Sequence, residues 1–463
     1  MLRYSDIPRV VIAGLGGDSG KTLLTIGLIA NLKDLFNIAI FKKGPDYIDP
    51  SWLTLAGNRT TYNLDTFLMG KRKVLESFIS NTKNSNLSII EGNRGLYDGF
   101  DEKGSHSTAE LAKLLKAPVI LIINASKVTR TAAAIAYGCK FFDKKVEIKG
   151  IILNNVYGKR HFNIISKTIL QYTGIPVIGF IPKIAEKDIL PSRHLGLVTP
   201  DEIEYAKKSV NQIKNIIKEN VDIESVIQIA KKSKIIKANI KEKNIKKPIK
   251  VRIGIFKDKS FSFYYPENIE FLSNEGAEIV ELSSFKDNNL KDVDGLYIGG
   301  GFPETHIHEL SNNKELLYNV KAKAEDGMPI YAECGGLIYL AKELEVDNKL
   351  YNLSNILPIK IKMNKIPQGH GYAISKVDKR NNFFKINSIL KAHEFHYTNI
   401  ENIYDNESFD TCMEMIKGEG AYQKREGIIY KNVFGTYLHI HSQGVPLWAK
   451  SFVKVAFNYK NRK

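Results

Sequence analysis

The sequence predicts a two-domain α/β protein, and three observations carry that prediction. Short apolar runs alternate with helical patterns from residue 9 to about 220. The first run, Val10-Val11-Ile12-Ala13, breaks into a glycine-rich turn ending Gly20-Lys21-Thr22, which opens an apolar helix over Leu23 to Leu32. After residue 250 a second alternating pattern starts with Val251-Arg252-Ile253-Gly254-Ile255-Phe256. Strands separated by helices build mostly parallel sheets covered by helices.

In the first domain, strands follow over Ile38 to Phe41, Leu87 to Ile90, Pro118 to Ile123, Ile148 to Leu153 and Val177 to Phe180. Polar residues cluster just beyond them: Lys42-Lys43-Gly44-Pro45-Asp46, Glu91-Gly92-Asn93-Arg94, Asn124 and Asn154-Asn155. The carboxyl ends of such strands line the ligand crevice of an open α/β sheet, so these dispersed motifs converge there. Domain one is expected over 1–221, a basic linker over 222–250 including KKSKIIKANIKEKNIKKPIK, and domain two over 251–463. In the second domain, strands are expected over Glu278 to Val280, Gly295 to Gly299 and Pro329 to Ala332. Several short β runs follow Leu353, with a closing helix from Pro446 to Phe457.

The chain has 463 residues, enough for real cores, and a formal charge of +17. Lysines are scattered among carboxylates, which reads as solvated faces, with attraction to a polyanionic small molecule as the alternative. The arginine-aromatic modules of nucleic-acid binders are absent from the sequence, so no nucleic-acid partner is expected. Three widely spaced cysteines, Cys139, Cys334 and Cys412, imply neither a disulfide framework nor a metal site. No secretory segment or membrane-spanning run is evident, so a cytoplasmic protein without a membrane partner is expected.

The turn from Gly14 to Thr22 has the chemistry of a phosphate cradle. Backbone N–H groups of Gly14, Gly17, Ser19 and Gly20 wrap phosphate oxygens, aided by the positive end of the helix. Lys21 reaches the terminal phosphates and the Thr22 hydroxyl sits on Mg²⁺. Five residues separate Gly14 from Gly20, one more than in the standard loop. Asp46 and Glu91 at neighbouring strand ends are expected to complete the Mg²⁺ site, because that ion favours oxygen ligands beside nucleotide phosphates. Asp49 and Asp98 are further acidic candidates. Lys42, Lys43 and Arg94 add cations, and Arg193 with His194 forms another candidate group for an acidic ligand.

In the second domain, Tyr331-Ala332-Glu333-Cys334-Gly335-Gly336-Leu337 sets a cysteine on a sharp strand-to-helix turn. Backbone N–H groups of Gly301 and Gly335 are candidates for an oxyanion hole. His439, at a predicted strand end, is the candidate base that a nucleophilic cysteine needs.

Together these segments resemble the cobyrinic acid a,c-diamide synthase family over nearly the whole chain. AGLGGDSGKT, FKKGPDYIDP, YNLDTFLM, EGNRGLYDG and PSRHLGLV are similar to a dethiobiotin-synthetase-type P-loop domain, including its extra loop residue. GGGFPE, AECGG, HEFHY and GTYLHIH resemble a class I glutamine amidotransferase domain of the cobyrinate/cobyrate type. The resemblance implies that Cys334 and His439 release ammonia from glutamine. It further implies that ATP with Mg²⁺ activates a carboxylate of a polycarboxylate tetrapyrrole, which ammonia converts to the amide. Tyr47, Asp49, Arg94 and Asp98 are the substrate contacts it implies, with cobyrinate as the leading substrate. EGNRGLYDG, STAELAKLL and KVTRTAAA look closer to the sirohydrochlorin or siroheme amidases, which therefore stand as the alternative. A partition-type P-loop ATPase is a further alternative, although the signature lysine of that group is replaced by Leu15 or Gly16. A homodimer is open as the assembly. Many class I domains carry His-x-Glu, whereas this chain has His439-Ile440-His441, which leaves the third member of the triad unassigned.

Overall fold

The computed structural model describes residues 2–184, 189–193, 196–239, 250–405 and 409–462. Two compact units divide the chain, Met1–Glu242 and Lys243–Lys463.

Among the described residues, the first unit is built on a seven-stranded sheet. Its order is Thr61–Leu64, Ile38–Lys43, Leu87–Gly95, Arg9–Gly14, Val119–Asn124, Ile148–Val156 and Val177–Pro182. Every neighbouring pair is parallel. Strands Arg9–Gly14 and Ile38–Lys43 are buried along their whole length, which is why they appear in the sequence as continuous apolar runs. The helix after the glycine turn spans Lys21–Leu32 and packs on helix Ala206–Asn220. Leu24, Ile26, Leu28 and Ile29 share a core there with Ile213 and Ile217.

The linker expected over 222–250 is corrected by the structure. Helix Ile223–Ala230 buries Val226, Ile227, Ile229 and Ala230 in the core of the first unit. Strand Ile236–Asn239 pairs antiparallel with Leu2–Ser5. The buried Arg9 guanidinium fastens this return, donating from Nε to Leu115 O at 2.7 Å and from Nη2 to Lys234 O. Lys231, Lys232, Lys234 and Lys237 are exposed beside buried apolar residues, so charge density concealed the apolar face of this segment. Residues 240–249 lie outside the described part.

The second unit carries a ten-stranded sheet among the described residues. Its parallel half runs Ala277–Leu282, Val251–Phe256, Gly295–Ile298, Ile330–Glu333 and Val433–Thr436. An antiparallel half follows, in the order Arg425–Tyr430, Asp410–Lys417, Gly369–Val377, Ile389–His396 and Leu438–Ile440. Only Tyr437 separates the fifth strand from the last, so the antiparallel half must curl back toward the middle of the sheet. A four-stranded sheet of Lys349–Asn352, Ala341–Val346, Leu357–Met363 and Thr398–Ile403 completes the unit. The closing helix spans Leu447–Lys460 and buries Trp448, Phe452 and Val453. Among the described residues, no helix is long and apolar enough to cross a membrane.

Candidate active sites

In the first unit, the turn after Arg9–Gly14 leaves the sheet at its carboxyl edge. Gly20 sits at φ +88° as the residue before the helix, and a Cβ there would lie 2.5 Å from Asn154 Nδ2. Only glycine suits both the dihedral and the space. Asn154 Nδ2 donates to Ser19 O at 3.1 Å, tying the turn to strand Ile148–Val156, the next but one in the sheet. Ser19 Oγ donates to Gly16 O at 2.7 Å and accepts from Gly16 N at 3.2 Å. Lys21 is buried and its Nζ donates to Gly16 O at 2.7 Å, folded back across the loop. Burial, then repulsion from Lys42, lowers its pKa. Gly17 lies at the exposed crest of the turn, and Gly14 ends the strand.

Beside the turn, Thr22 Oγ1 donates to Glu91 Oε1 at 2.8 Å. Lys42 Nζ donates to the same oxygen at 2.7 Å and to Asp49 Oδ2 at 2.5 Å, with Asp46 Oδ2 at 3.7 Å. One buried ammonium thus collects three carboxylates. Burial opposes its charge, but Asp49, Glu91 and Asp46 together raise the Lys42 pKa. Burial pushes Asp46 up to about 7, with repulsion from Asp49 adding to it. Burial also raises Glu91 against the pull of Lys42, whereas at Asp49 the contact with Lys42 overrides burial and lowers the pKa. Asp46 Oδ1 accepts from Ile48 N and Asp49 N, fixing the start of helix Ile48–Gly57.

Glu91 Oε2 is buried without a hydrogen-bond partner. That oxygen, beside the Thr22 hydroxyl, fits a Mg²⁺ ion that takes its other ligands from phosphates and water. Among the described residues, no group of three or more His, Cys, Asp or Glu is placed as an all-protein metal cage. Thr22 and Glu91 touch directly, whereas Asp46 joins them through Lys42.

Tyr47 and Asp49 are half-buried at the helix start. Arg94 is exposed at φ +52° near the end of strand Leu87–Gly95. Asp98 turns back on the end of that strand, where its Oδ2 accepts from Gly95 N at 3.0 Å. His194 and the side chain of Arg193 lie outside the described part.

In the second unit, Cys334 occupies the elbow between Ile330–Glu333 and helix Gly335–Leu340, at φ +49° and ψ −99°. This left-handed dihedral strains a residue with a Cβ, and such strain accumulates at reactive sites. Cys334 N donates to Thr436 O at 2.6 Å, and Sγ lies 3.7 Å from Phe395 O. Burial, followed by the nearby Glu304, raises the thiol pKa strongly. A Cβ on Gly335 would lie 3.1 Å from Gly301 N, so the two candidate oxyanion donors are neighbours. A Cβ on Gly300 would lie 2.5 Å from His439 Cε1, which places the imidazole edge against that glycine turn. The structure therefore brings Cys334, Gly301, Gly335 and His439, on strand Leu438–Ile440, into one neighbourhood.

Sequence reasoning left Glu333 unassigned, yet its Oε2 stands 3.4 Å from His439 Nδ1. His441 pairs elsewhere, its Nε2 lying 3.5 Å from Glu267 Oε1. Lys42 was legible only as one cation among several, not as the hub of three carboxylates.

Both units match known protein families. Residues 10–198 match the CobQ/CobB/MinD/ParA nucleotide binding domain, and residues 252–446 match the CobB/CobQ-like glutamine amidotransferase domain. A cobyrinate a,c-diamide synthase of Archaeoglobus fulgidus is 39% identical over 98% of this chain and 99% of its own length. The chain belongs to the cobyrinate a,c-diamide synthase family. Other family members include the proteins of that name from Magnetococcus marinus, 39% identical over 96% of both chains. The Methanobrevibacter smithii protein is 39% identical over 95% of this chain and 96% of its own. Membership makes the chain a nucleotide-binding, glutamine-using enzyme of the ligase class.

Proposed function

We propose that this chain amidates the a- and c-side-chain carboxylates of cobyrinate, using ATP and glutamine. The observation that carries this reading is the 39% identity to enzymes of that name across nearly the whole chain, both reactive centres included. The first-unit chemistry follows from need, because a carboxylate does not react with ammonia until it has a better leaving group.

At the second unit, Cys334 Sγ attacks the side-chain amide carbon of glutamine. The thiol proton passes to His439 and then to the departing ammonia. N–H groups of Gly301 and Gly335 receive the oxyanion. Water then hydrolyses the thioester to glutamate and free thiol. The acidic, buried surroundings disfavour an isolated thiolate. Transfer of the proton to an adjacent imidazole avoids that penalty, since the pair stays neutral overall.

At the first unit, the turn holding Gly14, Gly17, Ser19, Gly20, Lys21 and Thr22 binds the phosphates of ATP. Lys21 exchanges its bond with Gly16 O for a phosphate oxygen. Thr22, Asp46 and Glu91 are the residues that would hold Mg²⁺, which when bound offsets phosphate charge. A substrate carboxylate oxygen attacks the γ-phosphorus and ADP leaves. Ammonia then attacks the acyl carbon, and inorganic phosphate departs. Lys42 supplies positive charge to the transferring group. Tyr47, Asp49, Arg94 and Asp98 orient the carboxylate-rimmed macrocycle. The three unpaired cysteines suit a reducing, cytoplasmic setting.

Incubation with ATP, glutamine and cobyrinate, followed by mass spectrometry, tests the reading. Two hydroxyl-to-amino exchanges on cobyrinate are expected. Exchange only on sirohydrochlorin, its nickel complex or siroheme would move the assignment to that alternative. No exchange on any tetrapyrrole would overturn the amidation itself.

A further inference from the structure

A histidine that shuttles a proton between a thiol and a leaving amine must keep one ring nitrogen aimed at the reaction. The usual device is a carboxylate on the opposite nitrogen, which fixes both tautomer and ring orientation and stabilises the imidazolium. At the position two residues after His439, where a glutamate would do this, the chain has His441. That ring is engaged elsewhere: Nδ1 accepts from Gln443 N at 3.2 Å and Nε2 faces Glu267.

We propose that Glu333, the residue immediately before the nucleophile, is the positioning carboxylate for His439. This rests on the assignment of Cys334 and His439 to glutamine hydrolysis. Glu333 Oε2 stands at an ion-pair distance of 3.4 Å from His439 Nδ1, and both side chains are buried. The carboxylate is itself held from two sides. Tyr297 Oη donates to Oε2 at 3.2 Å and Ile440 N approaches Oε1 at 3.4 Å.

The fold explains why the residue before the cysteine can reach the histidine. Strand Ile330–Glu333 runs parallel to Val433–Thr436 with Glu333 opposite Thr436. His439 follows three residues later, where the chain has turned through Tyr437 into its last strand. The left-handed elbow at Cys334 changes chain direction at the next residue. Glu333 is therefore left behind the imidazole while the cysteine goes forward. With Nδ1 on the carboxylate, Nε2 is the nitrogen available to the thiol. The Gly300 turn flanks that edge of the ring, since a Cβ there would lie 3.4 Å from Nε2.

The test compares Glu333→Gln, Glu333→Asp and Cys334→Ala in the full chain, measuring glutamate release and, separately, amidation supported by ammonium salts. Glu333→Gln is expected to lower kcat for glutamine hydrolysis about 10²-fold or more, with KM for glutamine within about twofold. Ammonia-supported amidation should stay near wild type, and Glu333→Asp should recover part of the lost kcat. A Glu333→Gln kcat within about threefold of wild type would overturn the proposal, as would a loss confined to KM. Should the glutamine variant fail to fold, Glu333→Asp decides: a lowered kcat with intact ammonia-supported amidation supports the proposal, and an unchanged kcat overturns it. Glutamine hydrolysis surviving in Cys334→Ala would instead sink the underlying assignment. Hydrolysis lost in Cys334→Ala but untouched by Glu333→Gln sinks the positioning role alone.

Discussion

Both reactive centres use a buried strand that breaks into a sharp turn before a helix, but they prepare opposite environments. At the first, Gly20 takes the left-handed conformation without strain, and the turn is left partly open, with Gly17 exposed at its crest. Charge there is dense: Lys21 rests on a carbonyl and Lys42 holds three carboxylates. At the second, a non-glycine residue, Cys334, takes the left-handed conformation and is buried. Its charged neighbours there are the carboxylates Glu304, Glu333 and Glu394. A cradle for a polyanion needs cations that can change partners, whereas a nucleophile needs a fixed direction and one proton acceptor. The same backbone device thus serves electrostatics in one unit and geometry in the other.

If that division is right, variants should separate the two activities. The largest effect is expected from Lys21→Ala, which should lower both glutamine- and ammonia-supported amidation about 10³-fold while glutamate release continues. Coupled assays of ADP and glutamate read this directly, and equal loss of both would break the comparison. Glu91→Gln should cost amidation about 10²-fold. It also removes a carboxylate proposed to hold Mg²⁺, so a raised Mg²⁺ requirement in a titration at fixed ATP is its second signature.

In the second unit, Gly301→Ala would place a Cβ 2.0 Å from Ser260 O. Thermal or denaturant unfolding should register a loss of about 1–3 kcal/mol. Glutamine hydrolysis should fall with it, and ammonia-supported amidation should not. The smallest effect belongs to Asp46→Asn. The carboxyl of Asp46, raised to about 7 mainly by burial, binds a proton more tightly folded than unfolded. Its contribution is thus favourable at low pH and is lost as pH rises through about 7. Asp46→Asn should therefore stabilise the protein more at pH 8 than at pH 5, by about 1 kcal/mol in paired melts.

The turn, its flanking strands and the Cys334 elbow were legible because each is a local pattern. Apolar runs bounded by glycines specify a strand, a turn and a helix without reference to the rest of the chain. Helix Ile223–Ala230 was also locally signalled, since Asp222 caps it by accepting from Ser225 N, but the surrounding lysines masked the apolar face. Lys42 and Glu333 could not be read in this way. Their roles depend on which strands pair: Lys42 meets Glu91 because Ile38–Lys43 lies beside Leu87–Gly95. Glu333 meets His439 because two strands about a hundred residues apart run in register. At His441 the sequence pattern offers no carboxylate, and the carboxylate proposed for His439, Glu333, lies on a strand about a hundred residues away.

The central claim is that one unit makes ammonia and the other consumes it. Cys334→Ala tests this most directly, by amidation measured once with glutamine and once with an ammonium salt. The account predicts that glutamine-supported amidation falls by at least about 10³-fold while ammonia-supported amidation stays within about twofold of wild type. Loss of both activities in a Cys334→Ala protein with an unchanged melting temperature would contradict it.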